Sequence, residues 1–272
     1  GKTDLPSAMI GKITSRNPDV IAIVNTYDQY RRETSFYNEV PDVGMSVPHC
    51  YYADHDATKQ EFVILMEDLH PSDSPSWAPS NEQVEHALSA LPSFHARWWN
   101  HPELVEKSWI VQLTDRDFYT AGAAGAVAAI PVVQGHFGDA IETTYEVMRL
   151  WNERLKDIVK FMESRHYTFV HGDFHSKQMF FPTQNGGKFA VIDWQFPFVG
   201  QGAWDVMRLM GMTLEVDYRR QHQQRLLDTY YQSLLDHGVA DYDRHELDTD
   251  AKLGAMISQI DRKSTRLNSS HQ

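Results

Sequence analysis

The sequence predicts an α+β fold with two lobes, a small one rich in strands and a larger one that is mostly helical. Three observations indicate this division. Short apolar runs typical of strands are concentrated before residue 70, a stretch rich in proline and serine occupies residues 70–80, and helical periodicity dominates the rest. We therefore place the lobe boundary in the Pro/Ser stretch, with a small lobe at residues 1–69 and a helical lobe at residues 70–260.

The small lobe contains three predicted strands and one predicted helix. Residues 61–66, EFVILM, form a continuous apolar run typical of a buried strand, and a polar turn separates this run from the strand before it. Pro41 and Gly44 follow the helix and end it. The predicted elements are strands at 7–14, 46–53 and 61–66 and a helix at 27–40.

The large lobe contains predicted helices interrupted by two short strands. The clearest helix is at 143–166, where apolar residues recur at spacings of three and four. We expect Asn81 to cap the first predicted helix and Gly238 to end the last one. The predicted elements are helices at 81–99, 143–166, 205–212 and 217–237 and strands at 167–170 and 188–195.

Composition narrows the possible functions. The chain of 272 residues is 42% hydrophobic and carries a net charge of -12, which argues against nucleic acid as its main partner. Cys50 is the only cysteine, so no disulfide forms within the chain, and we expect a cytoplasmic protein. The apolar stretch 121–133 is too short for a membrane span, and we expect Gly122, Gly125 and Pro131 to break it, so we predict no span.

Both ends of the chain depart from ordinary protein sequence. The chain begins at Gly1 and enters an apolar stretch almost at once, so we expect that an N-terminal segment is missing. Residues 261–272 are polar and aperiodic, and DRKSTRLNSSH matches a common sequencing-library adapter translated in frame. We therefore predict that residues 261–272 are a non-native tail.

Two aspartates follow apolar runs of strand character. Asp173 lies in VHGDFH, directly after the strand at 167–170, and Asp193 lies in AVIDWQ. Two carboxylates at neighbouring strand ends suit phosphoryl transfer, because one can orient or deprotonate the attacking hydroxyl while the other holds magnesium. Gly172 permits the tight turn that presents Asp173.

These segments resemble a known family. HGDFHSKQ resembles the His-Gly-Asp-x-His-x-x-Asn catalytic loop of the aminoglycoside phosphotransferase and choline kinase-like group, and IDWQ resembles its metal-binding segment. The helix that follows the metal-binding segment in the family is similar to GAWDVMRLM here. The family's small-lobe helix is similar to YRRETSFY, and its hinge is similar to VILMEDL. These segments occur in the family's order over residues 5–240. The nearest branch is the ecdysteroid kinase-like, CHK-type one. The resemblance implies a bilobal protein-kinase-like fold with an incomplete small lobe, and ATP and Mg²⁺ as cofactors.

The resemblance also implies roles for individual residues. Asp173 becomes the catalytic base or the group that orients the hydroxyl, and His171 braces its loop. His175 stands where a protein kinase has a lysine that touches the transferred phosphate. Asp193 and Gln178 become the metal ligands.

The remaining implied roles concern the nucleotide and the support of the catalytic loop. Lys12 contacts the α- and β-phosphates, Glu33 pairs with Lys12, and Asp205 holds the catalytic loop by hydrogen bonds. The residues expected at the adenine pocket are Met66, Glu67, Asp68 and Leu69.

Several interpretations compete with these roles. Glu39 is a second candidate on the same helix as Glu33, and Lys12 could be an ordinary charge on an edge strand. His175 could be a packing histidine, and His95 is interpreted as a buried structural one. The aromatic residues that either line an acceptor pocket or pack in the core, the latter being favoured, are Trp98, Trp99, Trp109 and Phe118.

The predicted activity is transfer of the γ-phosphate of ATP to a hydroxyl group of a small molecule. The acceptor stays open between a cationic compound and a neutral, sterol-like alcohol, and the oligomeric state is open too. The alternative is a pseudokinase that binds nucleotide or ligand without catalysis, because Gln178 replaces the family's Asn and is longer by one methylene. A hydrolase is disfavoured, since the chain lacks a Gly-x-Ser-x-Gly motif.

Overall fold

The computed structural model describes residues 6–73 and 76–269, with side chains up to residue 257. Its helices and strands confirm the predicted α+β organisation. The strands are β1 (Met9–Ile13), β2 (Cys50–Asp56), β3 (Glu61–Glu67), β4 (Thr168–Val170), β5 (Met179–Phe180), β6 (Ala190–Val191) and β7 (Phe198–Gly200). The helices are α1 (Pro18–Thr26), α2 (Gln29–Glu39), α3 (Asn81–Arg97), α4 (Glu103–Glu106), α5 (Arg116–Phe137), α6 (Glu142–Glu153), α7 (Leu155–Glu163), α8 (Ala203–Thr213), α9 (Val216–Asp236) and α10 (Arg244–Ser269).

The small lobe is a three-stranded antiparallel sheet in the order β1-β3-β2 with α1 and α2 beside it. Phe62, Ile64 and Met66 alternate along β3 and are buried, as the period of two predicts. Lys12 on β1 is paired with Ile64. Since paired residues share a face of the sheet, Lys12 lies on the inner face, toward the rest of the molecule.

Helix α2 connects the cores of the two lobes. Its Tyr30 stacks on Phe62 of the small sheet, with ring centroids 4.2 Å apart. One and a half turns later, Phe36 stacks on Trp194 of the large lobe at 4.1 Å, with ring planes 5° apart. Aromatic pairs in this arrangement add to the stability gained from burial. Helix α2 is therefore fixed against both lobes at once.

The large lobe is built around one extensive apolar core. Helices α3, α8 and α9 contribute fully buried side chains such as Leu91, Leu209 and Leu234. Helix α5 adds a stripe at positions 119, 123, 126, 130 and 133, the spacing of one helical face. The short antiparallel pairs β4–β7 and β5–β6 lie against this core. They carry the loops where the two motif aspartates lie.

The described residues of the Pro/Ser stretch, 70–73 and 76–80, contact the large lobe. Asp73 forms a β-bridge with Phe181, and the Ser72 hydroxyl donates to the carbonyl of Lys188 over 3.1 Å. Further along, the Ser176 hydroxyl donates to the carbonyl of Ser76 over 2.5 Å. The stretch therefore contacts the predicted catalytic loop directly.

Three predicted elements differ in the structure. The helix predicted at 143–166 is wrong as one element, because it breaks at Arg154 into α6 and α7. The strand predicted at 188–195 is reduced to β6, and the strand predicted at 46–53 begins at Cys50 and extends to Asp56. Helix α1 occupies residues for which the sequence predicted no element.

The apolar stretch 121–133 is also different from the prediction. Gly122, Gly125 and Pro131 do not break it, because α5 runs unbroken through all three. Within the described parts of the chain, the helical run 116–153 meets the length and composition criteria for a membrane-crossing helix, with 28% of its apolar window buried. Core helices pass the same criteria, so this feature alone is weak evidence for a span.

The predicted non-native tail lies mostly outside what the structure describes. The backbone of α10 continues to Ser269, whereas residues 270–272 and all side chains after residue 257 are outside the described set. The origin of residues 261–272 stays a prediction.

Candidate active site

The loop between β4 and β5 is held in a conformation that requires glycine at its start. Gly172 has φ +83°, in the left-handed region. A Cβ atom at this position would lie 2.2 Å from the carbonyl oxygen of Phe196. No side chain fits at position 172. Glycine is therefore required there, because the segment that follows Asp193 approaches the backbone closely.

Helix α8 supports this loop from below. The two carboxylate oxygens of Asp205 accept the backbone N–H groups of His171 and Gly172, over 2.8 Å and 3.1 Å. The neighbouring Trp204 donates its indole N–H to the carbonyl of Gly172 over 3.2 Å. Asp205 is fully buried, so its bonds are protected from water. The predicted support of the loop by Asp205 is confirmed.

His171 braces the loop from within, as predicted. Its Nδ1 accepts the backbone N–H of Asp173 over 3.2 Å, and its Nε2 lies 3.0 Å from the carbonyl of Ile192. The side chain is fully buried, and burial lowers its pKa. A neutral imidazole that donates through Nε2 satisfies both contacts and links the loop to the residue before Asp193.

Asp173 is surrounded by nitrogen donors. Its Oδ1 accepts the Nε–H of Arg208 over 2.9 Å and a second N–H of the same guanidinium. His175 Nε2 lies 3.3 Å from this oxygen, while Gln178 Nε2 donates to Oδ2 over 3.1 Å. Burial alone raises the pKa of a carboxyl group, but Arg208 and His175 outweigh burial and hold the pKa of Asp173 well below its usual range.

Asp193 occupies a strained position where the small and large lobes meet. Its φ is +70°, a left-handed conformation that is uncommon for a residue other than glycine. Oδ1 lies 2.5 Å from the Lys12 ammonium nitrogen, and Oδ2 accepts the Gln195 side-chain N–H over 3.2 Å. The strand pair β5–β6 brings Asp193 toward the loop, because the backbone N–H of Ile192 donates to the carbonyl of Gln178 over 2.8 Å.

Lys12 and Glu33 form the predicted pair. The ammonium nitrogen lies 2.9 Å from Oε1 and 2.6 Å from Oε2 of Glu33. Burial opposes the charge on Lys12, but Glu33 and Asp193 together raise its pKa. Glu33 is fully buried and lies near a second carboxylate, Asp193. Burial and the negative charge of Asp193 raise the pKa of Glu33 to about 7, although the positive charge of Lys12 acts to lower it. Lys12 is therefore more than an ordinary charge on an edge strand.

Glu39, the competing candidate, faces elsewhere. Its Oε2 accepts the indole N–H of Trp109 over 2.7 Å, and Lys107 lies 3.6 Å away. It ties the C-terminal end of α2 to the large lobe. The structure thus separates the two glutamates of this helix, since only Glu33 reaches Lys12.

The predicted adenine segment lies at the end of β3. Met66 and Leu69 are buried, Met66 in the core of the small lobe. Glu67 Oε2 lies 2.6 Å from the Lys188 ammonium nitrogen and accepts the backbone N–H of His49. Asp68 accepts the backbone N–H of His70 over 3.0 Å. The side chains of Glu67 and Asp68 therefore stabilise the segment between the lobes. Contact between the backbone of this segment and adenine stays a prediction.

His175 has the surroundings of a packing and hydrogen-bonding residue. Its ring stacks on Trp77 with centroids 5.0 Å apart and is 6% exposed. Its Nδ1 accepts the backbone N–H of Lys177 over 3.2 Å, so Nε2 is the nitrogen that donates toward Asp173. Contact with a transferred phosphate stays a prediction.

The donor set suits a hard cation. Asp193 and Gln178 supply carboxylate and amide oxygens, the ligand atoms that Mg²⁺ prefers. A carboxylate has further lone pairs beyond those that Lys12 and Gln195 use on Asp193. Among the described residues, no group of three or more His, Cys, Asp or Glu side chains is arranged to hold a metal ion. The residues therefore fit an ion that also has ligands outside the protein, such as phosphate oxygens.

The sequence did not single out two residues of this site, Arg208 and Gln195. Arg208 follows Asp205 by three positions on a helix, so the two share a face, and that spacing was a usable signal. Gln195 stands two residues after Asp193 and had no comparable signal. The favoured interpretation of the aromatic residues is confirmed for Trp98 and Trp109, which are 4% exposed in the large core, and His95 is fully buried.

Solved structures of phosphotransferases share this fold. An aminoglycoside phosphotransferase from Streptomyces rimosus, in complex with ADP and streptomycin, matches with a TM-score of 0.57 and 12% identity, over 93% of this chain and 86% of that chain. Plasmodium vivax ethanolamine kinase matches with a TM-score of 0.54 and 11% identity, over 97% and 75%. The chain therefore has the predicted bilobal, protein-kinase-like fold.

Sequence comparisons identify the family. An uncharacterized kinase-like protein from Caenorhabditis elegans is 23% identical over 225 residues, which cover 76% of this chain and 57% of the relative. The chain thus spans little more than half the length of that relative. The sequence model of the ecdysteroid kinase-like family matches residues 2–239, which include every motif discussed above. The chain belongs to the ecdysteroid kinase-like family.

Proposed function

We propose that the protein transfers the γ-phosphate of ATP to a hydroxyl group of a small molecule. The observation that carries this proposal is the assembly of Lys12, Glu33 and Asp193 into one ion-paired group. The hydrogen-bonded backbones of Gln178 and Ile192 join this group to the Asp173 loop. The family and the fold support a small-molecule kinase.

Asp173 would act on the acceptor. The hydroxyl donates to Asp173, which aligns its oxygen for attack on the γ-phosphorus. A bond forms between the acceptor oxygen and phosphorus, and the bond from phosphorus to the β–γ bridging oxygen breaks. ADP departs with that electron pair, and the hydroxyl proton passes through Asp173 to solvent. The low pKa of Asp173 favours orientation of the hydroxyl over deprotonation before attack.

Lys12, Asp193 and Gln178 would act on the nucleotide. Lys12 binds phosphate oxygens and Glu33 orients its ammonium group. Asp193 and Gln178 would hold Mg²⁺, which neutralises phosphate charge when bound. Gln195 keeps the Asp193 carboxylate in place through its bond to Oδ2. The segment from Met66 to Leu69 would contact adenine.

The comparisons suggest two classes of acceptor, a steroid alcohol and a cationic compound. The family's name points to a steroid alcohol, and the names of the structural neighbours point to aminoglycosides and ethanolamine. The pseudokinase alternative was motivated by Gln178 alone. The side-chain N–H of Gln178 donates a hydrogen bond to Asp173 in the structure, and no comparison favours a protein without catalysis.

The test measures phosphate transfer and nucleotide binding separately. Transfer from γ-labelled ATP is followed with a steroid alcohol, ethanolamine, choline and an aminoglycoside as acceptors, and binding is followed by thermal shift with ATP, with and without Mg²⁺. We expect a Mg²⁺-dependent shift and transfer to at least one acceptor, and Asp173→Asn should abolish transfer while retaining the shift. ATP binding that is the same with and without Mg²⁺, together with no transfer to any acceptor, would overturn the proposal in favour of a pseudokinase.

A further inference from the structure

Arg208 has no role in the steps described above, yet it touches the central carboxylate of the site. It stands on α8, one helical turn after Asp205, and its side chain is 2% exposed. Its guanidinium donates two N–H groups to the same oxygen, Oδ1 of Asp173, one of them over 2.9 Å. A buried arginine is costly unless its charge is compensated, and Asp173 compensates it.

The contacts divide the two oxygens of Asp173 between different partners. Oδ1 faces two N–H groups of Arg208 and Nε2 of His175. Three donors around one carboxylate oxygen exhaust its accessible lone pairs. Oδ2 accepts one bond, from Gln178, and keeps capacity for another. A hydroxyl that approaches Asp173 can therefore be accepted at Oδ2.

We propose that Arg208 is a positioning residue of the phosphoryl transfer, which holds Oδ1 of Asp173 so that Oδ2 is presented to the acceptor hydroxyl. The proposal rests on the proposed function. Helix α8 then controls the loop at two levels: Asp205 fixes the backbone of residues 171 and 172, and Arg208 fixes the side chain of residue 173. A planar guanidinium suits this task because its donors have fixed directions, unlike the single ammonium group of lysine.

A purely structural role for Arg208 makes a different prediction. Loss of the guanidinium leaves Asp173 as a largely buried charge without its strongest partner, which destabilises the fold whatever the chemistry. Loss of activity in one variant therefore does not separate the two roles. A double-mutant cycle separates them, because a residue that acts through Asp173 has nothing left to position once that carboxylate is gone.

The experiment compares Arg208→Met, Asp173→Asn and the double variant with the unaltered protein. The probe is Mg²⁺–ATP without an added acceptor, with water as the attacking group, and ADP formation gives kcat and KM. We expect Arg208→Met to lower kcat roughly 100-fold with KM for ATP changed less than about threefold. In the Asp173→Asn background, Arg208→Met should change kcat less than about twofold.

A second, largely buried arginine, elsewhere in the large lobe, provides the matched control. Arg165, 12% exposed, pairs with Asp250, 2% exposed, and in the described part of the chain neither side chain is bonded to Asp173, Asp193 or Lys12. Arg165→Met should lower the melting temperature as Arg208→Met does, but leave kcat unchanged. If Arg208→Met fails to fold, Arg208→Lys replaces it: the charge is kept and the fork is lost, so we expect a lower kcat in a folded protein.

The outcomes that overturn the inference differ from those that overturn the proposed function. If the double variant loses kcat by the product of the two single losses, Arg208 does not act through Asp173. A folded Arg208 variant with unchanged kcat shows the same. An equal loss of kcat in Arg165→Met shows that the effect is general destabilisation. Absence of ADP formation in the unaltered protein, together with no transfer to any acceptor, rejects the proposed function itself.

Discussion

Phe36 of α2 stacks face to face on Trp194, the residue that directly follows Asp193. Glu33 precedes Phe36 by three positions on the same helix, so the two side chains share a face. The stack therefore sets the distance between Glu33 and Asp193, the two carboxylates that share the Lys12 ammonium group. Core packing and site geometry are coupled through one helical turn.

Glu33→Gln should weaken the binding of Mg²⁺–ATP. The ammonium group of Lys12 then pairs with Asp193 alone and is free to turn away from the phosphates. Loss of a charged hydrogen bond of this kind corresponds to about 1.5–3 kcal/mol, or roughly a tenfold or larger loss of affinity. The midpoint of a thermal-shift titration with Mg²⁺–ATP measures it.

Glu39→Gln is the control for this measurement. Glu39 lies on the same helix and binds Trp109 instead of Lys12. Its replacement should leave the midpoint within about twofold of the unaltered protein, a difference below 0.5 kcal/mol or so. Equal weakening in both variants would show that the effect comes from movement of α2 and not from the Lys12–Glu33 pair.

The raised pKa of Glu33 should make stability depend on pH. Its pKa is about 7 in the folded protein and near the ordinary glutamate value, about 4.5, in the unfolded chain. Between these values the folded state holds more protons, so the free energy of unfolding falls as pH rises through this window and is level above it.

Urea denaturation at pH 5 and pH 7.5 measures this dependence against Glu33→Gln, which cannot ionise. The free energy of unfolding of the unaltered protein should drop relative to the variant by up to about 3 kcal/mol between the two values. A difference between the two proteins that is the same at both pH values would contradict the raised pKa.

The loop from His171 to Gln178 could be recognised in the sequence as one part of the candidate site because its residues are contiguous. His171, Asp173 and Gln178 fall within eight positions, and the loop's backbone is set by Gly172. The ends of β4 and β6 were likewise recognisable as apolar runs followed by aspartate. Local sequence therefore contained most of the information needed for this part of the site.

Arg208 and Trp77 could not be predicted in the same way, since their contacts join distant parts of the chain. Arg208 meets Asp173 across 35 positions, and Trp77 reaches His175 from the Pro/Ser stretch. Only the packed fold brings such pairs together. The spacing of Arg208 from Asp205 placed both on one face of α8, but the identity of the opposing loop was not deducible.

Helix α5 shows why two glycines and a proline misled the prediction. A Cβ at Gly122 or Gly125 would meet nothing within 4 Å, so both glycines lie on the outer face, where they cost only helix propensity. The buried stripe from Tyr119 to Val133 supplies the packing that outweighs this cost, and Asp115 caps the first turn at Phe118.

Gly172→Ala should disrupt the catalytic loop. The left-handed backbone and the 2.2 Å approach to the Phe196 carbonyl leave no position for a methyl group, so the loop or its neighbour must shift. We expect a loss of stability of at least about 3 kcal/mol in urea denaturation, together with loss of ADP formation.

Gly122→Ala is the matched control for that substitution. Gly122 is helical and its neighbourhood is open, so alanine should stabilise the protein by about 0.5–1 kcal/mol and leave ADP formation unchanged. If Gly172→Ala proved as well tolerated as Gly122→Ala, the close approach at the catalytic loop would be incorrect.

Tyr230→Phe should loosen the catalytic loop from a distance. The Tyr230 hydroxyl lies 2.7 Å from Nδ1 of the fully buried His95, whose Nε2 lies 3.4 Å from Asp205, the residue that holds the loop backbone. Asp205 only accepts, so an Nε2–H tautomer of His95 leaves Nδ1 to accept the hydroxyl proton. Phenylalanine leaves that nitrogen buried and without this partner, at a cost of about 1–3 kcal/mol in urea denaturation.

Tyr52→Phe separates this effect from the general loss of a tyrosine hydroxyl. Tyr52 donates to Asp54 over 3.2 Å at an exposed position, where water replaces the lost bond. Its replacement should therefore change the free energy of unfolding by less than about 0.5 kcal/mol. Because His95 reaches the loop through Asp205, Tyr230→Phe should also lower kcat for ADP formation, whereas Tyr52→Phe should not. A destabilised Tyr230→Phe protein with full kcat would show that the loop is held by Asp205 without help from His95.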